Sequence, residues 1–175
     1  VLTRLEFIGD RDLEPEETFT HLYYSAAEEN ASARLLTPGF VSADGAGWAM
    51  SNTGPCVVFS AESPGEIHPD RVLERALWRV GLDGSPPALL LHTPGFTYTR
   101  PTASPDGRTI AFLSEELSLA PYAQTQLGVI SLEGAPKKML TANFDRSVSR
   151  AGWARTRPTM PTRSAPASVA RWDRT

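Results

Sequence analysis

Leu35-Leu36-Thr37-Pro38-Gly39-Phe40 returns as Leu91-His92-Thr93-Pro94-Gly95-Phe96, and more loosely as Leu140-Thr141-Ala142-Asn143-Phe144, so that Phe40, Phe96 and Phe144 stand 56 and 48 residues apart. Recurrence at a step of several tens of residues marks a chain built from repeated supersecondary units. Two further series keep the step. His21-Leu22-Tyr23-Tyr24-Ser25, Ala76-Leu77-Trp78-Arg79-Val80 and Gln126-Leu127-Gly128-Val129-Ile130 are spaced by 55 and 50 residues, as are Trp48, Ala103 and Trp153.

Inside each unit, short β-type runs alternate with turn chemistry. The clearest unit opens with Arg100-Pro101-Thr102-Ala103 and turns at Ser104-Pro105-Asp106-Gly107. There proline presets one dihedral and glycine accepts a positive one. Thr109-Ile110-Ala111-Phe112-Leu113 is the second predicted strand, residues 126–132 the third, and residues 137–140, after a Glu133-Gly134 turn, the fourth. The preceding unit repeats the order with strands at 48–50, 56–60, 77–82 and 88–91, the third closed by Asp83-Gly84. The N-terminal unit holds only a second strand at 5–8, a third at 22–26 and a fourth at 34–36. Four antiparallel strands per repeat of this length is the pattern of a β-propeller blade.

The expected fold class is therefore all-β: a β-propeller fragment of about two and a half to three four-stranded antiparallel blades. The predicted organisation is a partial propeller over residues 1–154, with blades at about 1–42, 43–97 and 98–145 and the start of another at 146–154. Composition agrees, because 15 prolines and 13 glycines leave little uninterrupted room for helices. Between Trp48 and Phe59 there are two residues more than between Ala103 and Phe112, and Ser51-Asn52-Thr53-Gly54 replaces the Ser-Pro-Asp-Gly turn. Phe7, Phe59 and Phe112 on second strands, and Trp48 and Trp153 on first strands, are expected to pack between blades.

Charge divides the chain differently. Residues 1–154 carry 12 basic and 19 acidic side chains, whereas residues 155–175 carry five arginines against Asp173 alone. That basic tail, rich in Pro, Arg, Ser and Thr, lacks an apolar pattern and is expected to be disordered. The abrupt loss of pattern after Trp153 suggests an altered reading frame or an artificial end. With no interleaved aromatic apart from Trp172 and no reading motif, no nucleic-acid partner is expected. No membrane segment is expected either, and the N-terminus shows no leader pattern. The expected compartment is the cytoplasm, with the periplasm left open.

Ser104-Pro105-Asp106-Gly107-Arg108-Thr109-Ile110-Ala111-Phe112 resembles the blade signature shared by TolB-like propellers and those of prolyl oligopeptidase-family enzymes. Thr20-His21-Leu22-Tyr23, Thr125-Gln126-Leu127-Gly128-Val129 and Ala142-Asn143-Phe144-Asp145-Arg146-Ser147-Val148 with Trp153 narrow the likeness. They are similar to the propeller of bacterial dipeptidyl aminopeptidase and acylaminoacyl-peptidase relatives over residues 4–154. The resemblance implies a non-catalytic segment of a serine peptidase that cleaves short peptides. Its propeller would gate substrate access, and its partners would be the remaining blades and an α/β-hydrolase domain. Two alternatives stay open: a TolB-like protein-interaction propeller and a propeller-type carbohydrate lyase. Blades left without neighbours would also expose apolar faces, so self-association of the isolated fragment is expected.

Candidate chemistry in the chain itself is sparse. No Gly-x-Ser-x-Gly nucleophile elbow occurs, and His21, His68 and His92 lie in no catalytic or metal-ligand spacing, so no catalytic residue, metal or cofactor is assigned. Cys56, the only cysteine, sits in an apolar run and reads as a small buried hydrophobe. Of the acidic pairs Glu16-Glu17, Glu28-Glu29 and Glu115-Glu116, the last opens a loop between second and third strands. Glu115 and Glu116 are thus the candidate substrate-binding residues, because two carboxylates can hold a cationic amine, as glutamate pairs do in dipeptidyl-peptidase relatives.

Overall fold

The computed structural model describes residues 20–40, 42–65, 74–119, 122–134 and 136–148. Within them the chain forms ten strands: β1 (Tyr23–Tyr24), β2 (Arg34–Leu35), β3 (Asp44–Ser51), β4 (Gly54–Glu62), β5 (Arg75–Gly81), β6 (Ala88–Leu91), β7 (Phe96–Ala103), β8 (Thr109–Glu116), β9 (Gln126–Ser131) and β10 (Lys138–Met139). One turn of 3-10 helix, Leu117–Leu119, follows β8. All pairings between strands are antiparallel. They give a β1-β2 ribbon and two four-stranded meanders, β3-β4-β5-β6 and β7-β8-β9-β10. The all-β expectation and the order of strands within the second and third units agree with this architecture. The strands predicted at 5–8, the cores predicted at Phe7 and Trp153, and the tail at 155–175 lie outside the described residues.

The turns form as their residues require. Gly107 has φ +73° in the Ser104–Gly107 turn, where its amide bonds Ser104 O at 2.8 Å. A Cβ at this position would sit 2.6 Å from the Met50 amide nitrogen, so glycine also allows the turn to touch β3. Met50 N in turn donates to Gly107 O at 3.0 Å. In the first meander the turn is tighter: Ser51 pairs with Gly54 across a two-residue loop, which absorbs the altered spacing after Trp48.

Alternation of side chains along β4 builds two cores from one strand. Cys56 and Val58, with Ala49 and Leu77, meet Tyr98, Ile110, Phe112, Ile130 and Leu132 of the second meander. Val57, Phe59 and Ala61, with Val80, meet Leu36 and Ala43, against which Leu22, Tyr24 and Phe40 also pack. The first meander is therefore a middle layer covered on both faces. In β8 only Ile110, Phe112 and Ser114 are buried, and the alternate Ala111, Leu113 and Glu115 are half-buried.

Polar groups tie the layers where apolar packing ends. Ser60 Oγ donates to Tyr98 O at 2.8 Å, and Arg75 holds Ser60 Oγ, Ser60 O and Ser42 O within 2.9–3.0 Å. At the opposite strand ends, Arg79 Nη1 donates to Leu132 O and Asn52 N to Glu133 Oε1, both at 3.0 Å.

One core expectation is corrected. Trp48 is 58% exposed. It lies on the first strand of its meander, over which the short ribbon extends Tyr24, whose ring meets the indole edge-on at 6.0 Å. A two-stranded ribbon is too narrow to cover an indole at the meander's edge. Phe59 and Phe112, on second strands nearer the middle of each sheet, are 0% and 1% exposed as expected.

Candidate functional site

The loop after β8, the start of β5 and the connector between the two meanders converge at one end of the sheets. The connector carries the repeated Leu-x-Thr-Pro-Gly-Phe sequence. At its centre Gly95 N donates to Glu74 Oε1 at 2.8 Å, and Leu117 N donates to Gly95 O at 2.8 Å. Glu74 Oε2 meets His92 Nε2 at 3.1 Å. The Gly95 amide first, and His92 second, hold the Glu74 carboxyl below its usual range. Lys137 closes the other side of the connector, donating to Thr93 Oγ1 at 3.2 Å and to the Tyr98 hydroxyl. Its Nζ stands 5.0 Å and 4.9 Å from the centroids of the Phe96 and Tyr98 rings. This aromatic pair is thus filled by the chain's own cation.

Glu115 and Glu116 end β8 in this neighbourhood. Consecutive strand residues face opposite sides of a sheet, and the two carboxylates part accordingly. Glu115 accepts a hydrogen bond from the hydroxyl of buried Thr125. Glu116 is exposed, accepts Ser118 Oγ at 2.7 Å, and helps line a 240 Å³ depression with Phe96, Ser114, Tyr122, Gln124 and Gln126. A carboxylate beside an aromatic edge and two amides can accept hydrogen bonds from a cationic or amide ligand there.

A second cleft, of 520 Å³, opens at the opposite strand ends beside Ser51, Cys56, Arg79, Asp83 and Ser85. Cys56 is 3% exposed, and burial pushes its thiol upward. A protonated thiol is a poor nucleophile. Asp83 Oδ1 accepts Ser85 N and Oγ at 3.0 and 2.7 Å, and the Ser85 hydroxyl is the main cause that lowers its carboxyl. With Gly84 at φ +93°, this is turn chemistry, as the Asp83-Gly84 dipeptide predicts.

Among the described residues no group of three or more His, Cys, Asp or Glu could hold a metal ion, and no helix is long and apolar enough to cross a membrane. His68, Glu16 and Glu17 lie outside the described residues, and Glu28 and Glu29 are exposed. Sequence reasoning missed the Glu74–His92 contact. Its signal lies in the repeat itself, because His92 stands where the other copies carry Leu36 and Leu140. The chain matches no known family model and no curated protein.

Proposed function

We propose that the two meanders are consecutive blades of a β-propeller, and that the chain is the non-catalytic propeller segment of a prolyl oligopeptidase-family serine peptidase. In this reading the parent cleaves short peptides at an α/β-hydrolase domain, and the propeller limits which peptides reach it. The observation that carries the propeller is the path from β6 to β7: the last strand of one meander leads through a short connector to the opposite edge strand of the next. Repeated, that path stacks sheets face to face about an axis, each with its first strand inside. The middle layer's two covered faces fit a sheet between neighbours, and the half-buried face of β8, which no layer covers among the described residues, fits a place for another. The peptidase part rests on the ordered sequence likeness, from Ser104-Pro105-Asp106-Gly107 to Asp145-Arg146-Ser147-Val148.

The test is to read the coding frame through both ends of this chain and to treat the full gene product with a fluorophosphonate probe. Further repeats, a Gly-x-Ser-x-Gly segment followed by an acid and a histidine, and labelling of the full product but not of the 175-residue chain are expected. Further blades without a hydrolase segment would replace the peptidase by an interaction module. A frame with no further blades would overturn the propeller.

A further inference from the structure

β3 and β7 are the edge strands of their meanders and run side by side where the sheets pack. A Cβ on Gly45 would meet Pro101 Cδ at 3.3 Å and Arg100 Cα at 3.5 Å. Both strands slip register at the same place, between Asp44 and Gly47 in β3 and between Thr99 and Thr102 in β7. The repeat phase that aligns Trp48 with Ala103 aligns Gly45 with Arg100. Both adopt left-handed backbone, at φ +60° and +52°. The bulge therefore demands a left-handed residue, and one copy supplies glycine while the other supplies arginine.

Arginine is an unfavourable choice there. Its Cβ crowds the following carbonyl in that conformation, and it lacks the short side chain that lets Asn30, at φ +65°, adopt it in a turn. Packing does not explain the choice, since Arg100 is exposed. Nor does pairing, since among the described residues no hydrogen bond or ion pair holds its guanidinium. Arg34, Arg75 and Arg79 differ, each donating to a backbone or hydroxyl oxygen. A bulge re-aims the side chain it carries, and strain of this kind persists where function uses the group it presents.

We infer that Arg100 is a binding residue for the carboxylate of a peptide, either an acidic side chain or a free C-terminus, on the exposed edge formed by β3 and β7. The guanidinium fork matches a carboxylate in a two-point contact. β7 is an edge strand along which an extended chain can lie, although Pro101 beside Arg100 contributes no N–H. Asp44, next to Gly45 on the same edge, is 54% exposed and bonds Arg75 at 3.2 Å. This inference goes beyond the propeller reading and requires neither a catalytic domain nor further repeats.

The test is a titration of the ¹⁵N-labelled 175-residue chain, followed at the Arg100 Nε–Hε resonance and the β7 amides. The probes are acetyl-Gly-Ser-Glu-Gly-amide, acetyl-Gly-Ser-Gly-Gly with a free C-terminus, its neutral amide, and inorganic phosphate. One or both carboxylate peptides should move these resonances, and whichever does so names the source of the carboxylate. The neutral amide should not. Arg100→Asn, which tolerates left-handed backbone without the charge, should weaken binding about tenfold or more. Arg100→Gly should weaken it equally while raising the thermal midpoint by about 2–4 °C. Undiminished binding to Arg100→Asn, preference for phosphate, or silence with both carboxylate peptides would each overturn the assignment. So would a glycine variant that loses stability, because Arg100 would then be a structural residue.

Discussion

β4 and β8 are the second strands of two copies of one repeat, and they carry Phe59 and Phe112 at equivalent positions, yet they live in different surroundings. β4 is buried from Cys56 to Ala61 without interruption. β8 alternates, with Ile110, Phe112 and Ser114 buried and their neighbours partly open. Nothing in the strands' own propensities separates them, since both are rich in β-branched, aromatic and small residues. The difference lies in what covers them: β4 has a layer on each face, whereas the described residues cover β8 on the side of the first meander. Burial here is a property of the stack, and the strand sequence shows it only indirectly, as the unbroken apolar run of Cys56-Val57-Val58-Phe59.

The largest effect that can break this comparison comes from truncating one residue on each strand. Phe59 is fully buried, and Phe40 meets its ring edge-on at 5.5 Å. Phe59→Ala should cost about 3–5 kcal/mol, a large share of the roughly 5–15 kcal/mol that holds an ordinary domain folded. Leu113→Ala, on the half-buried face of β8, should cost no more than about 1 kcal/mol, because little packing is lost. Urea denaturation of the two variants measures both. Equal costs would mean that the outer face of β8 is as well covered as the inner layers.

A smaller effect probes why the two phenylalanines pack differently within their sheets. Phe59 pairs across the strands with Trp78, whereas Phe112 pairs with Gly128. A Cβ on Gly128 would lie 2.5 Å from the Phe112 ring and 2.9 Å from Met139 Sδ. The glycine is the space into which the ring leans. Gly128→Ala should therefore cost about 1–3 kcal/mol through overpacking, despite alanine's better fit to a strand. A neutral result in thermal unfolding would show that the Phe112 ring and Met139 move aside freely.

How much of this was legible beforehand depends on whether the determining contact is local. Turns and strand order were, because proline, glycine and period-2 alternation act over a few residues: β6 spans Ala88–Leu91, where the repeat phase places a fourth strand. Trp48 was not, since its exposure follows from the width of the ribbon beside it. Repeat equivalence alone does not determine burial either. Phe40 packs against Phe59 and Trp78, whereas Phe144, in the same phase, is 51% exposed. For the candidate site, the sequence reads Glu115 and Glu116 as the start of a loop, whereas β8 runs on through Glu116 and turns the two carboxylates to opposite sides. Nor does the sequence indicate that Thr125 engages Glu115, or that Glu74 reaches His92 from 18 residues away.

The smallest expected effect separates the two connectors that share the Leu-x-Thr-Pro-Gly-Phe sequence. In the first, Leu36 is buried, Leu22 N donates to Thr37 Oγ1 at 3.0 Å, and Leu36 N donates to Leu22 O at 2.8 Å. In the second, His92 replaces the leucine and Glu74 bridges it to Gly95. With the Glu74 carboxyl held below its usual range in the folded state, its stabilisation is complete above the ordinary value of 4.5 and is lost as the pH falls through the lowered folded value. Glu74→Gln should cost about 1 kcal/mol at neutral pH. That cost should shrink as the medium is acidified below about 4.5, because the native carboxyl is then protonated as well. Amide exchange should localise the acid response to Gly95 and Leu117 and leave Leu36 unchanged. Opening of both connectors together on acidification would show that acid acts on the whole stack, and the Glu74 contact would lose its separate role.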